Sequence, residues 1–341
     1  MNLSHRPTEL EDLRPCARLL QGADLYDEQT LSRLPEIWSK LLINGCAVSE
    51  VVQDEDRPLD ERIVAFGMTV FVTDAFVQRT KACYSPSISC QVFKSASDRD
   101  TPILSRTAIR IANSGEGLNV LVLANGFAKL FWEDTEGLSI LQQSMASFVA
   151  AHMGFNIKEH LMECYDAHFA DINTAVGFRI RSDPYSMLNS PSRSPIPSNR
   201  LAYLIGLTRE EALTTPGCRA VPMFLYTKPR FFFRPGEQEL LARALMGGTN
   251  EEIADSLSIS LSAVKKRWEA IYARVESANS ELFWPVKSRK FVEPTRGAQK
   301  KDVLLSYLRR HSEELRPAVP PKNTEPLSPD GGERTAHPLH R

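Results

Sequence analysis

Residues 249–268 read TNEEIADSLSISLSAVKKRW, and their spacing, residue types and charge agree on two short helices joined by a tight turn. Helices cross closely only where a small residue lies between them, and Ala254 is that residue. The turn needs a position that tolerates positive φ, which falls on Ser258. The second helix needs apolar anchors, which Ile259 and Val264 supply. Asn250 is the candidate N-cap of the first helix, with Glu251 and Glu252 favourable at its positive end. Ser260 or Ser262 can cap the second. Val264, Trp268, Ile271 and Val275 then recur at spacings of four, three and four, the stripe of a helix buried along one side.

Lys265, Lys266 and Glu269 project from the other side of that helix, and Arg267 and Arg274 flank them. A helix anchored this way offers its N-terminal half to a major groove, where Lys or Glu reaches base edges. The flanking arginines suit phosphate contacts, which position without specifying. From Ser262 to Arg310 there are twelve Lys/Arg against five Asp/Glu, a local excess hidden in a chain whose net charge is only -1. The preceding FRPGEQELLARALMGG supplies a scaffold helix with Leu240, Leu241, Ala244 and Leu245 inward. The segment 296–315 predicts a further amphipathic helix edged by Val303, Leu304, Tyr307 and Leu308, as a dimer contact or as packing on the same domain.

With 341 residues the chain has room for about two domains. Its 42% apolar and 24% charged content is ordinary for a soluble protein. It has no apolar run of about 18 residues, and MNLSHRPTELEDLRP lacks a signal-peptide core. Six scattered cysteines without a CxxC pair suit reduced thiols, so the expected location is cytoplasmic, away from any membrane.

Ahead of the two-helix stretch the pattern is mixed. Thr8 and Glu11 predict a capping box opening a helix over 8–20, and a second helix follows over 28–43. RIVAFGMTVFVTDAFV (62–77), GLNVLVLANG (117–126) and IKEHLMECYD (157–166) predict strands, with a helix over 137–153 and a short one ending at Ala175. SMLNSPSRSPIPSNR (186–200) predicts a linker, and MFLYT (223–227) and RFFFRP (230–235) predict strand-like segments. From Arg316 onward six prolines in 26 residues predict a disordered tail.

Two resemblances follow from these motifs. The unit 233–275 resembles the LuxR/GerE-type helix-turn-helix domain through Pro235 with Glu237–Leu241, Gly247–Gly248, EEIADSLSIS and AVKKRWEAIYARV. It departs in having Ser258 where a turn glycine is common and Trp268 where an aliphatic residue is usual. The resemblance implies a double-stranded DNA partner read by helix 261–275, with Ser260, Ser262, Lys265, Lys266, Arg267, Glu269 and Arg274 facing it and a homodimer on two half-sites. Residues 1–185 resemble the GNAT acetyltransferase fold in element order: HRPTELEDLRPCARLL as opening strand and first helix, IVAFGMTVFV as later strands, and INTAVGFRIRSD as fourth helix and following strand.

Active members of that family hold the acetyl-CoA pyrophosphate on a Gly-rich segment at a helix N-terminus. Here NGFAKLFWEDTEGLS lacks the Q/R-x-x-G-x-G/A pattern, and Glu133, Asp134 and Glu136 would repel a pyrophosphate. The family's tyrosine acid corresponds to Asn173, whose amide cannot serve as that acid. The expectation is an α+β, GNAT-like front domain (1–185), a mixed sheet flanked by helices. It carries no catalytic residues and no cofactor, and serves as a sensor for an unknown small molecule or as an assembly platform. A linker and strand-like connector (186–232), an all-α helix-turn-helix domain with its C-terminal helix (233–315) and the tail (316–341) follow. The function expected is transcriptional regulation through DNA; the alternative is an acyl-CoA-dependent acetyltransferase fused to a DNA-binding domain. His160, Cys164 and His168 are spaced by four, but a strand would scatter them, so no metal site is expected.

Overall fold

A computed structural model describes residues 1–20, 26–95, 101–128, 134–182, 201–283 and 297–321. Strand β1 (Leu3–Pro7) leads through a 3-10 turn into α1 (Leu13–Arg18) and α2 (Glu28–Ile43). Strands β2 (Ala47–Asp54) and β3 (Ile63–Val72) follow, then helices α3 (Asp74–Ala82), α4 (Ile88–Ser95) and α5 (Arg106–Ser114). Next come β4 (Leu118–Phe127), α6 (Thr135–His152), β5 (Ile157–Cys164), α7 (Ala167–Ala175), β6 (Arg179–Ile180) and β7 (Tyr203–Thr208). Short helices α8 (Arg209–Thr214) and α9 (Val221–Phe224) precede the C-terminal helices α10 (Pro235–Leu245), α11 (Asn250–Ser256), α12 (Leu261–Ala278) and α13 (Gly297–Leu308).

The seven strands form one sheet in the order β1-β2-β3-β4-β5-β7-β6. All neighbours are antiparallel except β4 and β5, whose parallel pairing needs a crossover, which α6 supplies. That pairing runs only from Leu118 opposite Ile157 to Leu121 opposite Leu161. Beyond it β4 stays with β3 as far as Phe127, while β5 stays with β7 as far as Cys164. The two central strands therefore diverge at their C-terminal ends, and a register shift at Met68/Thr69 bends β3 beside them. Central strands covered on both faces read as almost unbroken apolar runs, which is why β3 and β4 stand out in the sequence.

On one face Leu34, Trp38 and Leu41 of α2, with Leu13 and Cys16 of α1, pack on Val51, Phe66, Met68, Leu121 and Leu161. On the other, α6 sets Ile140 against Val52, Val64 and Ala65, and Ala170 of α7 meets Val122, Met162 and Ile205. The architecture is a mixed α+β sheet flanked by helices. No helix among the described residues is long and apolar enough to cross a membrane.

The C-terminal helices enclose a separate core of Leu240, Leu241, Ala244, Ile253, Val264, Trp268, Ile271, Val275, Leu304 and Leu308. Helix α11 ends in a Schellman turn. The Ile259 N–H donates to the Ala254 carbonyl and the Ser258 N–H to Asp255 (both 3.0 Å), with Ser258 at φ 51° in the left-handed position where glycine is usual. A strap then leaves α13. The buried Glu314 carboxylate accepts the N–H groups of Arg230 and Phe231 and the Tyr307 hydroxyl. Arg316 donates to the Met153 carbonyl at 2.8 Å and lies 4.5 Å over the Phe155 ring. Asn113 donates to the Pro317 carbonyl, and the Val319 N–H to the Ser114 hydroxyl. The strap thus fastens the helical domain to the C-terminal end of α6.

Several sequence expectations need correction. Thr8 does not open a capping box with Glu11. Its hydroxyl bonds Ser49, while the Asp12 carboxylate accepts the Glu9 N–H and pairs with Arg6. The strand expected over 62–77 stops at Val72, because the Thr73 hydroxyl caps α3. The linker and strand-like connector 186–232 does hold a strand, but it is β7 at Tyr203–Thr208, inserted between β5 and β6. MFLYT is not strand-like, since its first residues close α9, and RFFFRP runs outside any ladder. The tail expectation fails over 316–321, which is the strap; its remainder, the linker 186–200 and Glu133 lie outside the described residues.

Candidate functional site

Two places carry chemistry. The first is the outer face of α12. The Ser260 hydroxyl accepts the Ala263 N–H and caps the helix; Ser260, Ser262, Lys265, Lys266 and Glu269 are all exposed. Arg267 and Arg274 are turned differently from the sequence expectation. Arg267 donates to the Gly236 carbonyl at 3.1 Å, and Arg274 pairs with the buried Glu237 carboxylate at 3.0 Å. Their guanidiniums bind α12 to α10, so five of the seven expected residues share the free face and two hold the scaffold. The physical reason is Glu237: caught at the first turn of α10, where it also accepts the Arg234 N–H, it is a buried anion that needs a cation. Thr249, not Asn250, caps α11, in a reciprocal box with Glu252. Asn250 instead accepts the Trp268 indole N–H at 3.1 Å.

The second place is a cavity of about 680 Å³ under α6, bounded by β2, β3, the diverging ends of β4 and β5, and α7. Its walls include Val48, Glu50, Gly67, Val122, Met145, Phe148, Met162, Phe169, Phe178 and Met223. Two buried histidines meet it. His152 is satisfied: Nδ1 donates to the Phe148 carbonyl at 2.7 Å, which leaves Nε2 to accept from the Thr69 hydroxyl at 2.8 Å. Burial pushes it down to about 4. His160 is 1% exposed, stands edge-to-face with Phe148 and Phe178, and has no hydrogen-bond partner for either ring nitrogen among the described residues. Burial pushes it down to about 3, so the ring is neutral.

Glu50 also faces this space, and burial raises its carboxyl from 4.5 to about 7 against the opposing pull of Arg316. Between those two pH values the folded chain holds a proton that the unfolded chain has released, so stability falls as pH rises through the window. Glu50→Gln removes that dependence. The variant is expected to gain about 1–2 kcal/mol over the parent at pH 8, after allowance for partial solvent screening, and nothing near pH 4.5. Urea titration at both pH values checks it; an equal change at both would refute the account.

The resemblance singled out Asn173 and the acidic group before α6. Asn173 is buried on α7, lines the cavity, and donates its amide to the Phe169 carbonyl at 2.7 Å. At the start of α6 the Asp134 carboxylate accepts the Glu136 N–H, and Glu136 pairs with Arg57. That helix end is capped by the chain's own anion. Of the spaced set His160, Cys164 and His168, the first two are buried on β5 and the third lies on α7. Sequence reasoning missed Glu50 and Gly67 altogether and weighed His160 only as a metal ligand. No local signal marks them, because β2 (AVSEVVQD) and β5 (IKEHLMEC) carry other polar residues beside Glu50 and His160.

No family model matches the chain, and no curated protein sequence matches it. Among solved structures it is similar to Arabidopsis thaliana NAA60 in complex with acetyl-CoA: 12% identity, 61% of this chain and 99% of that one, TM-score 0.36. It is also similar to mutant forms of the spermidine/spermine N-acetyltransferase SpeG from Vibrio cholerae, with 11% identity, 62% of this chain, 96% of that one and TM-score 0.35.

Proposed function

We propose that the chain is a DNA-binding transcriptional regulator that inserts α12 into a major groove, with its sheet domain as the regulatory part. One observation carries this reading: a capped two-helix turn presents Ser262, Lys265, Lys266 and Glu269 on the free face of a helix whose opposite stripe is buried. Lysines at that place neutralise phosphates or reach base edges, and the local excess of positive charge makes binding salt-dependent. A homodimer would set two such helices on half-sites about one helical turn apart, which light scattering and footprinting test.

Fluorescence anisotropy with genomic fragments tests the reading. Lys265→Ala with Lys266→Ala is expected to weaken binding at least about tenfold and to reduce the slope of log affinity against log salt by about 1–2. Unchanged affinity and slope would end the proposal.

A second reading is acyl transfer by a GNAT-like sheet domain, favoured by the divergence of β4 from β5 beside a cavity. The acidic cap of α6 and the amide of Asn173 weigh against it. Saturable binding of acetyl-CoA in calorimetry would revive it.

A further inference from the structure

We propose that the cavity beneath α6 binds an uncharged, mainly apolar small molecule through one hydrogen-bonding group, an amide or hydroxyl, held by His160. A volume of about 680 Å³ is in the range that encloses a small organic ligand. The walls are mostly Val, Leu, Met, Phe and Ala side chains, interspersed with Ser, Asn, Gln and Thr, so most of the occupant must be apolar. His160 gives the polar address: it is fully buried, lines the space, and carries one donor and one acceptor with no partner among the described residues. Leaving such a group unpaired is costly, and the contact it makes with the phenyl rings is a weak substitute. His152 cannot serve, because both its nitrogens are engaged.

Charge selects against ions. A carboxylate would find, among the described wall residues, no cation but the exposed Arg219. An ammonium would meet a Glu50 carboxyl that burial keeps protonated up to about pH 7, with the charge of Arg316 already near it. Either would leave water for an apolar enclosure. Coenzyme A fits no better, for the phosphate-binding end of α6 is capped by Asp134.

The position also links the site to the helical domain. Ala150 and Met153, at the C-terminal end of α6, line the cavity, and their carbonyls receive Arg316 of the strap. As the signal input of a regulator the cavity rests on the DNA-binding reading; as a binding site it does not.

The test therefore measures binding directly, on the full chain without DNA, by calorimetry with decanamide, decanoate, decylamine and acetyl-CoA. Decanamide is expected to bind saturably, and each charged compound at least tenfold more weakly. His160→Phe should lower the decanamide affinity about tenfold by removing the polar partner. Gly67→Leu is the second variant: a Cβ at Gly67 meets nothing within 4 Å, so the side chain fills the cavity from a strand position without disturbing the backbone. It should lower decanamide affinity at least tenfold while the melting temperature stays level or rises. No saturable decanamide binding, equal binding of a charged analogue, or an affinity that ignores both substitutions would overturn the proposal. If decanamide binds but leaves DNA affinity unchanged, the site stands and its regulatory role falls.

Discussion

Trp268→Ala is expected to lower the stability of the C-terminal helical domain by about 3–5 kcal/mol, the usual range for removing a buried indole. Three helices meet on this one ring. Trp268 is 5% exposed, lies in the buried stripe of α12, stacks on Tyr272 at 5.6 Å and sits 5.4 Å from the Lys301 ammonium of α13. Its N–H closes α11 onto α12 through Asn250. Truncation leaves a cavity among Val264, Ile271 and their neighbours that backbone helices cannot collapse to fill, and it orphans the Asn250 carbonyl. Trp268→Phe keeps most of the packing and loses the hydrogen bond, so about 1–2 kcal/mol is expected there. Urea unfolding followed by far-ultraviolet circular dichroism distinguishes the two. A loss under about 1 kcal/mol for the alanine variant would show that the ring is not the keystone described.

Gly154→Ala is expected to cost about 2–4 kcal/mol and to release the strap. Gly154 has φ +83°, and a Cβ there would lie 2.8 Å from the Glu313 Cα and closer still to the backbone of Ser312 and Glu313. Those neighbours are main chain, so no rotamer change relieves the clash. Either the turn between α6 and β5 rearranges or residues 312–319 lift away. Release exposes the Val319 N–H, now bonded to Ser114, and the strap becomes open to proteases. Hydrogen exchange at Val319 and limited proteolysis read this directly; parental protection with parental stability would contradict it.

The helical domain was largely legible because its information is local. The stripe of Val264, Trp268, Ile271 and Val275 and the left-handed turn at Ser258 depend on residues a few positions apart. Arg267 and Arg274 were misjudged because their direction depends on Gly236 and Glu237, 31 and 37 positions away. The same limit hid β7, whose place between β5 and β6 is a long-range pairing. RFFFRP has strand propensity, yet its N–H groups at Arg230 and Phe231 bond the Glu314 carboxylate instead of a neighbouring strand. Phe231 and Phe233 then fill the helical core. The cavity was illegible for a further reason: a void is a property of divergence between β4 and β5, and no single residue encodes it.

The strap also sets an order of events during synthesis. Pro317 closes onto Asn113 across 204 positions, so α6 and the sheet around it can fold well before their last partner leaves the ribosome. At about 5–20 residues per second that interval is on the order of ten seconds. Through it the Phe155 ring and the carbonyls of Ala150 and Met153 face solvent without Arg316. A nascent chain paused ahead of residue 312 would hold a finished sheet domain with an uncovered apolar edge, the kind of surface that chaperones bind.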